Sequence, residues 1–424
     1  MVSFAILRLP QCFSDEQRTK CIFASGIFCC YFMNPVAPVP RYQRNFGLDF
    51  LRTLAICVVL MNHAYLGFFV GTGLSTWSGW NAAISACAVF SIEWLFVLSG
   101  YLIGSMMIRS FETKSGWWAS ARDFWMRRWF RTIPNYYLFL IFNLLVVWLG
   151  FDDGKLSWSF VVFSQNLAWA QIKPLFFAES WSLALDEWFY FLMPLLLGVV
   201  GFWGRMDRRS IFWLVALLLI AVPTVLRMLV HPPTDFFAWD ADIRRVTIMH
   251  LDATGWGVAA AILNRWHPAW WERWKMGKAL LGVFLTLVGA VAMCYFILVD
   301  WRVWMGGRLN DFFLILAPGV GAVFFLPWLC GLQASSKWVR SFFARIGDYS
   351  YSIYLSHYPL LFIFAFYLKN SGVDRSAWVV WVVLAWLLTV LFFSAAVFHI
   401  FEKPVSDIRE KFTKRVQAGP FSIS

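Results

Sequence analysis

Charge is what this chain has least of. Only 14% of its 424 residues are Asp, Glu, Lys or Arg, where a soluble domain carries about 25%. That scarcity excludes a soluble globular fold. Metal and disulfide patterns are missing as well. Cys12, Cys21, Cys29, Cys30, Cys57, Cys87, Cys294 and Cys330 form no CxxC pair and no Cys/His set. No zinc site, other metal site or disulfide framework is indicated, and the cysteines read as small apolar packing residues. The residue-by-residue alternation of a membrane β-barrel is absent. No internal repeat is found, which argues against a repeat-built transporter.

What is present is apolar. Hydrophobic residues make up 60% of the chain, and the mean hydropathy is +0.63. Apolar runs recur from Phe50 to Ile400, each about the 20 residues that cross a hydrocarbon core of roughly 30 Å. The fold class is therefore all-α, a polytopic integral membrane protein with about ten transmembrane helices. The spans read as Phe50–Phe68, Ala83–Ile108, Ile133–Leu149, Leu185–Trp203, Ile211–Val230, Ile248–Asn264, Ala279–Val299, Phe312–Gly331, Ile346–Leu368 and Trp378–Ile400. Residues 1–44 form an N-terminal cytoplasmic segment, 45–404 the membrane domain and 405–424 a short basic tail. The apolar stretch Cys21–Met33 is too short to span. Met33 offers an alternative start, which would make the first 32 residues a mis-called extension.

The net charge of +12 could suggest an anionic partner, but the basic residues are spread over alternate loops. Arg41 and Arg44 precede the first span, and the loop from Phe69 to Ala82 is uncharged. The next carries Lys114, Arg122, Arg127, Arg128 and Arg131. The alternation continues to Lys411, Lys414 and Arg415. It is the positive-inside pattern, and it places both termini in the cytoplasm. No nucleic acid is implied; membrane lipids are the surrounding partner.

Arg52 and His63 stand ten residues apart in an otherwise mostly apolar stretch. A helix puts them roughly 16 Å apart along its axis. With Arg52 at one face, His63 lies near mid-membrane, where an ionisable group is costly and is a functional candidate. Glu93 and His357 reach similar depth, while Glu187, with Asp186 beside it, and Asp252 lie toward the outer side. Glu93, His357 and Asp252 each also fit a packing role as helix–helix partners. A histidine works as a general base near neutral pH. Glu93 or Glu187 could orient its ring, as in triad chemistry. Proton-coupled transport needs the same residue types. Arg127, Arg128 and Arg131 form a basic loop whose guanidinium forks suit phosphate, or simply set topology.

Seven stretches in order resemble acyltransferase family 3, the integral-membrane O-acyltransferases that include O-antigen acetylases. They are NFGLDFLRTLAICVVLMNH, FSIEWLFVLSGYLIG, RRWFRTIPNYY, SWSLALDEWFYFLMP, HLDATGWGVAAA, IGDYSYSIYLSHYPL and FEKP. The resemblance implies transfer of an acyl group, usually acetyl from acetyl-CoA, to a hydroxyl of a carbohydrate or lipid-linked glycan. Its motifs map onto Arg52 and His63, Arg128 and Arg131, and Ser182, Asp186 and Glu187. With the depth argument, catalysis is expected from His63 and Glu187, with Glu93 as support, and donor binding from Arg52, Arg128 and Arg131. Ser182, Asp186, Asp252 and His357 become further pocket candidates. Asp186 stands where the family pattern has glutamate. No bound cofactor is expected; acyl-CoA is a substrate. Some relatives carry an outer hydrolase-like domain, for which this chain ends too early. It must finish the transfer itself or serve a separate periplasmic partner. A transporter or flippase for a modified lipid or glycan, or an acyl relay, is the alternative.

Overall fold

The computed structural model describes residues 44–75, 79–113, 116–203, 206–230, 233, 235–298 and 308–408. The alternative start at Met33 and most of the basic tail lie outside them. Among the described residues every regular element is helical. The long helices are α1 (Phe46–Ala64), α2 (Gly79–Thr113), α3 (Trp117–Trp148), α4 (Ser180–Trp203) and α5 (Arg208–Leu229). A short α6 (Phe236–Trp239) leads to α7 (Asp252–Trp266) and α8 (Pro268–Glu272). Then come α9 (Lys275–Leu298), α10 (Arg308–Gly331), α11 (Lys337–Asn370) and α12 (Arg375–Val397).

Local chemistry sets the helix starts. Asn45 caps α1 by accepting from the Leu48 N–H at 3.2 Å, and its own amide donates to the Cys330 carbonyl at 2.7 Å. One residue thus begins α1 and ties it to α10. Asp207, Ser336 and Asp374 cap α5, α11 and α12. Each accepts from an N–H that the first turn leaves without a helical partner. Past Ala64, α1 widens into a π turn over Tyr65–Val70, directly after His63.

Nine helices among the described residues are long and apolar enough to cross a membrane, one fewer than the ten expected. The missing one is the expected span Ile248–Asn264. It appears as α7, which has only 15 residues, or roughly 22 Å of helix. Its N-terminal Asp252 is bonded to Arg227 near the end of α5. Trp266, at its other end, packs edge-on against Phe212 near the start of α5, with ring centroids 5.6 Å apart. The segment therefore returns along nearly all of α5, and flanking turns make up the missing length. On its other side α7 packs closely against α2. A Cβ on Gly100 would lie 2.0 Å from the Thr254 carbonyl oxygen, and one on Gly257 would lie 2.1 Å from that of Val97. Only glycine at both positions lets these backbones meet, the small-residue contact typical of membrane helices.

The outer faces are apolar in the opposite sense to a soluble protein. Leu280, Phe284, Leu287 and Val291 form an exposed stripe along α9, at spacings that share one helix face. Buried polar residues gather in the interior instead, among them Glu93, His250, Asp252 and His357.

Candidate functional site

His63 comes from the end of α1 and His357 from the middle of α11. The His63 Nδ1 lies 2.8 Å from the His357 Nε2, with the rings stacked at a 17° angle. The His357 Nδ1 lies 2.6 Å from the Tyr354 carbonyl oxygen. A carbonyl only accepts, so this Nδ1 carries a hydrogen. In a neutral ring Nε2 then holds a lone pair, and His63 Nδ1–H must donate to it. The His63 Nε2 is left with a free lone pair. His357 is fully buried, whereas His63 is partly exposed. The pair thus presents one base, on the accessible ring, oriented from behind by the other. A carboxylate was the expected partner of His63; neither Glu93 nor Glu187 holds that place.

Other groups surround the pair. The Tyr358 ring meets His63 edge-on at 4.9 Å. Arg245 and Asp240 lie within electrostatic reach of His63. Ser182 donates to the Glu179 carbonyl at 3.1 Å, and the Tyr354 hydroxyl sits 2.7 Å from the Ser182 oxygen. The start of α4 is thereby fastened to α11 one turn from His357. The Glu179 carboxyl is buried, and neither oxygen finds a hydrogen-bond partner among the described residues. Burial pushes this carboxyl well above the usual glutamate range.

Glu93 sits in a second, charged cluster. Its carboxylate accepts from Arg244 Nε at 3.3 Å and faces His250 Nε2 at 2.7 Å. The other nitrogen of His250 faces the Arg244 carbonyl. Arg244 also donates to Asp240 at 2.7 Å, and Arg245 pairs with the other Asp240 oxygen at 2.5 Å. Burial works against the Asp240 charge, but the two guanidiniums outweigh it and hold the carboxyl below its ordinary value. Glu93, Arg244, Asp240 and Arg245 thus form an alternating chain that leads from α2 toward His63.

Arg128 and Arg131 were expected in a loop. They lie well inside α3, which runs from Trp117 straight through Pro134. Acidic groups meet the arginines along it. Arg127 pairs with Asp123 at 3.8 Å, and Arg131 lies within reach of the buried Glu402. Arg128 stacks over Tyr190 at 5.5 Å, within reach of both Asp186 and Glu187 of α4. Asp186 accepts from Ser99 at 3.0 Å, and Glu187 is mostly buried beside Thr132. The two arginine and acidic motifs therefore meet each other, at one level of the α3–α4 pair.

Arg52 stays near the foot of α1, beside Asp49 at 3.7 Å, and does not approach His63. Asp252 is locked by two bonds from Arg227, at 2.6 and 3.0 Å, remote from the histidine pair in its bonding. Sequence reasoning passed over Arg244, Arg245, His250, Glu179 and Tyr354. The arginines looked like loop charges. His250 stood in view, two residues before Asp252, without a partner to suggest its use. Among the described residues no group of three His, Cys, Asp or Glu side chains converges as a metal ligand set.

The acyltransferase domain family matches residues 45–398. The chain belongs to this acyltransferase family. Three relatives bracket its similarity. The Bacillus subtilis protein YrhL, named for peptidoglycan O-acetyl transfer, is 24% identical over 383 residues, covering 85% of this chain and 54% of the relative. The O-acetyltransferase OatA of Staphylococcus aureus is 25% identical over 363 residues, covering 78% and 53%. The peptidoglycan O-acetyltransferase OatA of Listeria monocytogenes is 22% identical over 356 residues, covering 76% and 50%. The chain thus spans about half the length of these curated relatives. No solved structure matches it. The family match takes in the histidine pair, both ionic clusters and all but the end of the helical body.

Proposed function

We propose that this acyltransferase moves an acyl group, acetyl foremost, from an acyl-CoA thioester to a hydroxyl of a cell-envelope carbohydrate or glycolipid. The observation that carries the reading is the free lone pair on His63 Nε2, fixed by the His63–His357 hydrogen bond of 2.8 Å. The acceptor hydroxyl gives its proton to that nitrogen as its oxygen attacks the thioester carbonyl. A C–O bond forms, the C–S bond breaks, and the proton passes from His63 to the departing thiolate. His357 holds the ring orientation through the cycle. Peptidoglycan O-acetyl transfer, named for the relatives, supports a glycan acceptor.

On the donor side, Arg52, Arg128 and Arg131 are the arginines of this reading, with Arg128 sharing its charge between Asp186 and Glu187. Each of the three also has an acidic neighbour, Asp49 for Arg52 and Glu402 for Arg131. Both termini are cytoplasmic in this reading, and the segment 150–184 faces outward. Single cysteines at the exposed positions Asp153 and Arg208 should label from opposite sides in a cysteine-depleted background.

The decisive experiment reconstitutes the protein in vesicles with acetyl-CoA and a glycan acceptor, and follows CoA release and acceptor acetylation together. Wild-type protein should do both and His63→Ala neither. Glycan movement without thioester turnover would instead identify a transporter. CoA release with acylation only after a second protein is added would identify a relay.

A further inference from the structure

Arg245 is the charged group nearest in function to His63 that the mechanism above leaves unused. It lies outside the spanning helices, just after the π turn Asp240–Arg244. Its backbone is fixed from two directions. Its N–H donates to the Asp240 carbonyl at 2.9 Å, and its own carbonyl accepts from the Asn166 amide at 2.6 Å. The guanidinium is fixed too. One nitrogen pairs with Asp240 at 2.5 Å, and the group lies over the Trp181 ring at 5.9 Å. Asp240 in turn is held by Arg244, which rests on Glu93 and on the same tryptophan. Yet the Arg245 Nε is buried with no hydrogen-bond partner among the described residues. The side chain as a whole is 29% exposed. It stands within electrostatic reach of His63, Tyr354 and Tyr358. A rigidly held, partly exposed cation within electrostatic reach of a base with a free lone pair is what an acyl-transfer transition state requires on its carbonyl side.

We propose that Arg245 binds the oxyanion of the reaction, donating to the acyl carbonyl oxygen as negative charge develops on it. When the acceptor oxygen attacks, the carbonyl π electrons move onto that oxygen and the hydroxyl proton moves to His63. Collapse of the tetrahedral intermediate returns the electrons, breaks the C–S bond and releases the thiol with the proton from His63. Arg245 supplies no atom and no proton; it stabilises charge present only between substrate and product. The Asp240–Arg244–Glu93 chain is the scaffold that aims it. This inference rests on the acyl-transfer reading above.

The test compares wild type, His63→Ala and Arg245→Ala in vesicles with acetyl-CoA and acceptor, measuring kcat and both KM values. For Arg245→Ala, kcat should fall about 10²- to 10³-fold, the usual loss for one oxyanion donor, with KM little changed. Added guanidinium ion should restore part of the rate, which it cannot do for a merely structural loss. If the alanine variant does not fold, Arg245→Lys carries the same test. It keeps the charge pair with Asp240 but lacks the fork, and should still lose kcat. Unchanged kcat overturns the inference, as does a raised KM with kcat preserved, which would mark a ground-state anchor for an anionic substrate. A wild-type protein without acyl transfer overturns the underlying reading and this inference with it. Transfer that dies in His63→Ala but survives Arg245→Ala undiminished overturns the inference alone.

Discussion

Arg227–Asp252 and His63–His357 are both polar pairs set between helices of the same apolar body, but they differ in what they leave open. Asp252 accepts through both carboxylate oxygens from one guanidinium. Arg227 spends further donors on the Met249 carbonyl and the Thr224 hydroxyl. Both side chains are buried almost completely. Apart from the Arg227 Nε, the pair is closed, and it fastens α7 to α5. The histidine pair is closed on one side only. His357 is saturated by Tyr354 and His63, while the outer nitrogen of His63 keeps a lone pair on a partly exposed ring. In a membrane interior, where unmet polar groups are costly, an ion pair with full bonding reads as structure. A fixed group with an open valence reads as chemistry.

The largest effect that can break this contrast belongs to His63. His63→Ala should lower the rate of acyl transfer by about 10²- to 10⁴-fold, the range for a general base. The variant should still insert and fold, because a partly exposed ring leaves little cavity. Acceptor acetylation at the wild-type rate would end the assignment. Asp252→Ala should behave in the reverse way. It strands a buried guanidinium, at a cost of about 3–5 kcal/mol, so the thermal midpoint in detergent should drop sharply. The rate per folded molecule should hold. Normal stability with lost activity would move Asp252 into the reaction.

His357→Gln is gentler. It removes the fixed acceptor behind His63 but retains polar atoms of similar reach. Loss of one buried hydrogen bond is worth about 1–3 kcal/mol, which corresponds to a fall in kcat of roughly 10- to 100-fold. Both KM values should stay near those of the wild type. A variant with full kcat would show that His63 needs no partner to hold its tautomer.

Much of the closed half of this contrast could be read from sequence, and less of the open half. Apolar runs of spanning length gave the helices because the bilayer leaves the backbone no other way to satisfy itself. The depth of His63 followed from its distance to Arg52 along one helix. Its partner did not, because His357 lies 294 residues away and no local pattern couples α1 to α11. The arginines of α3 looked like a loop because their charge set them apart from the apolar span expected to begin at Ile133, with Pro134 as its opening residue. The acids that pay their charge, Asp186 and Glu187 of α4 and Glu402 beyond α12, are remote in sequence. Arg244 and Arg245 resembled ordinary loop charges for the same reason: Glu93, which anchors the first, is 151 residues distant. α7 was read as a full span because its flanking turns are as apolar as the helix.

Glu179 offers the smallest effect and the finest test, because it is buried like Asp252 yet unbonded. Its neutral form suits the site, and burial holds its carboxyl well above the usual glutamate range. The unfolded chain gives up that proton near pH 4.5, whereas the folded protein keeps it to a higher pH. The stability this contributes is full below the unfolded value and is lost as pH rises through the folded one. Wild-type protein should therefore lose thermal stability, relative to Glu179→Gln, as pH climbs above the ordinary glutamate range. The glutamine keeps size and polarity but cannot ionise, so the difference between the two melting curves should widen with pH and then level off once the folded carboxyl has ionised too. The other titrating groups, Asp152 nearby among them, are common to both proteins and cancel in the comparison. Thermal midpoints recorded in detergent across that range provide the check. Parallel curves would mean that Glu179 is bonded in the folded protein after all, and would place it with Asp252 on the closed side of the contrast.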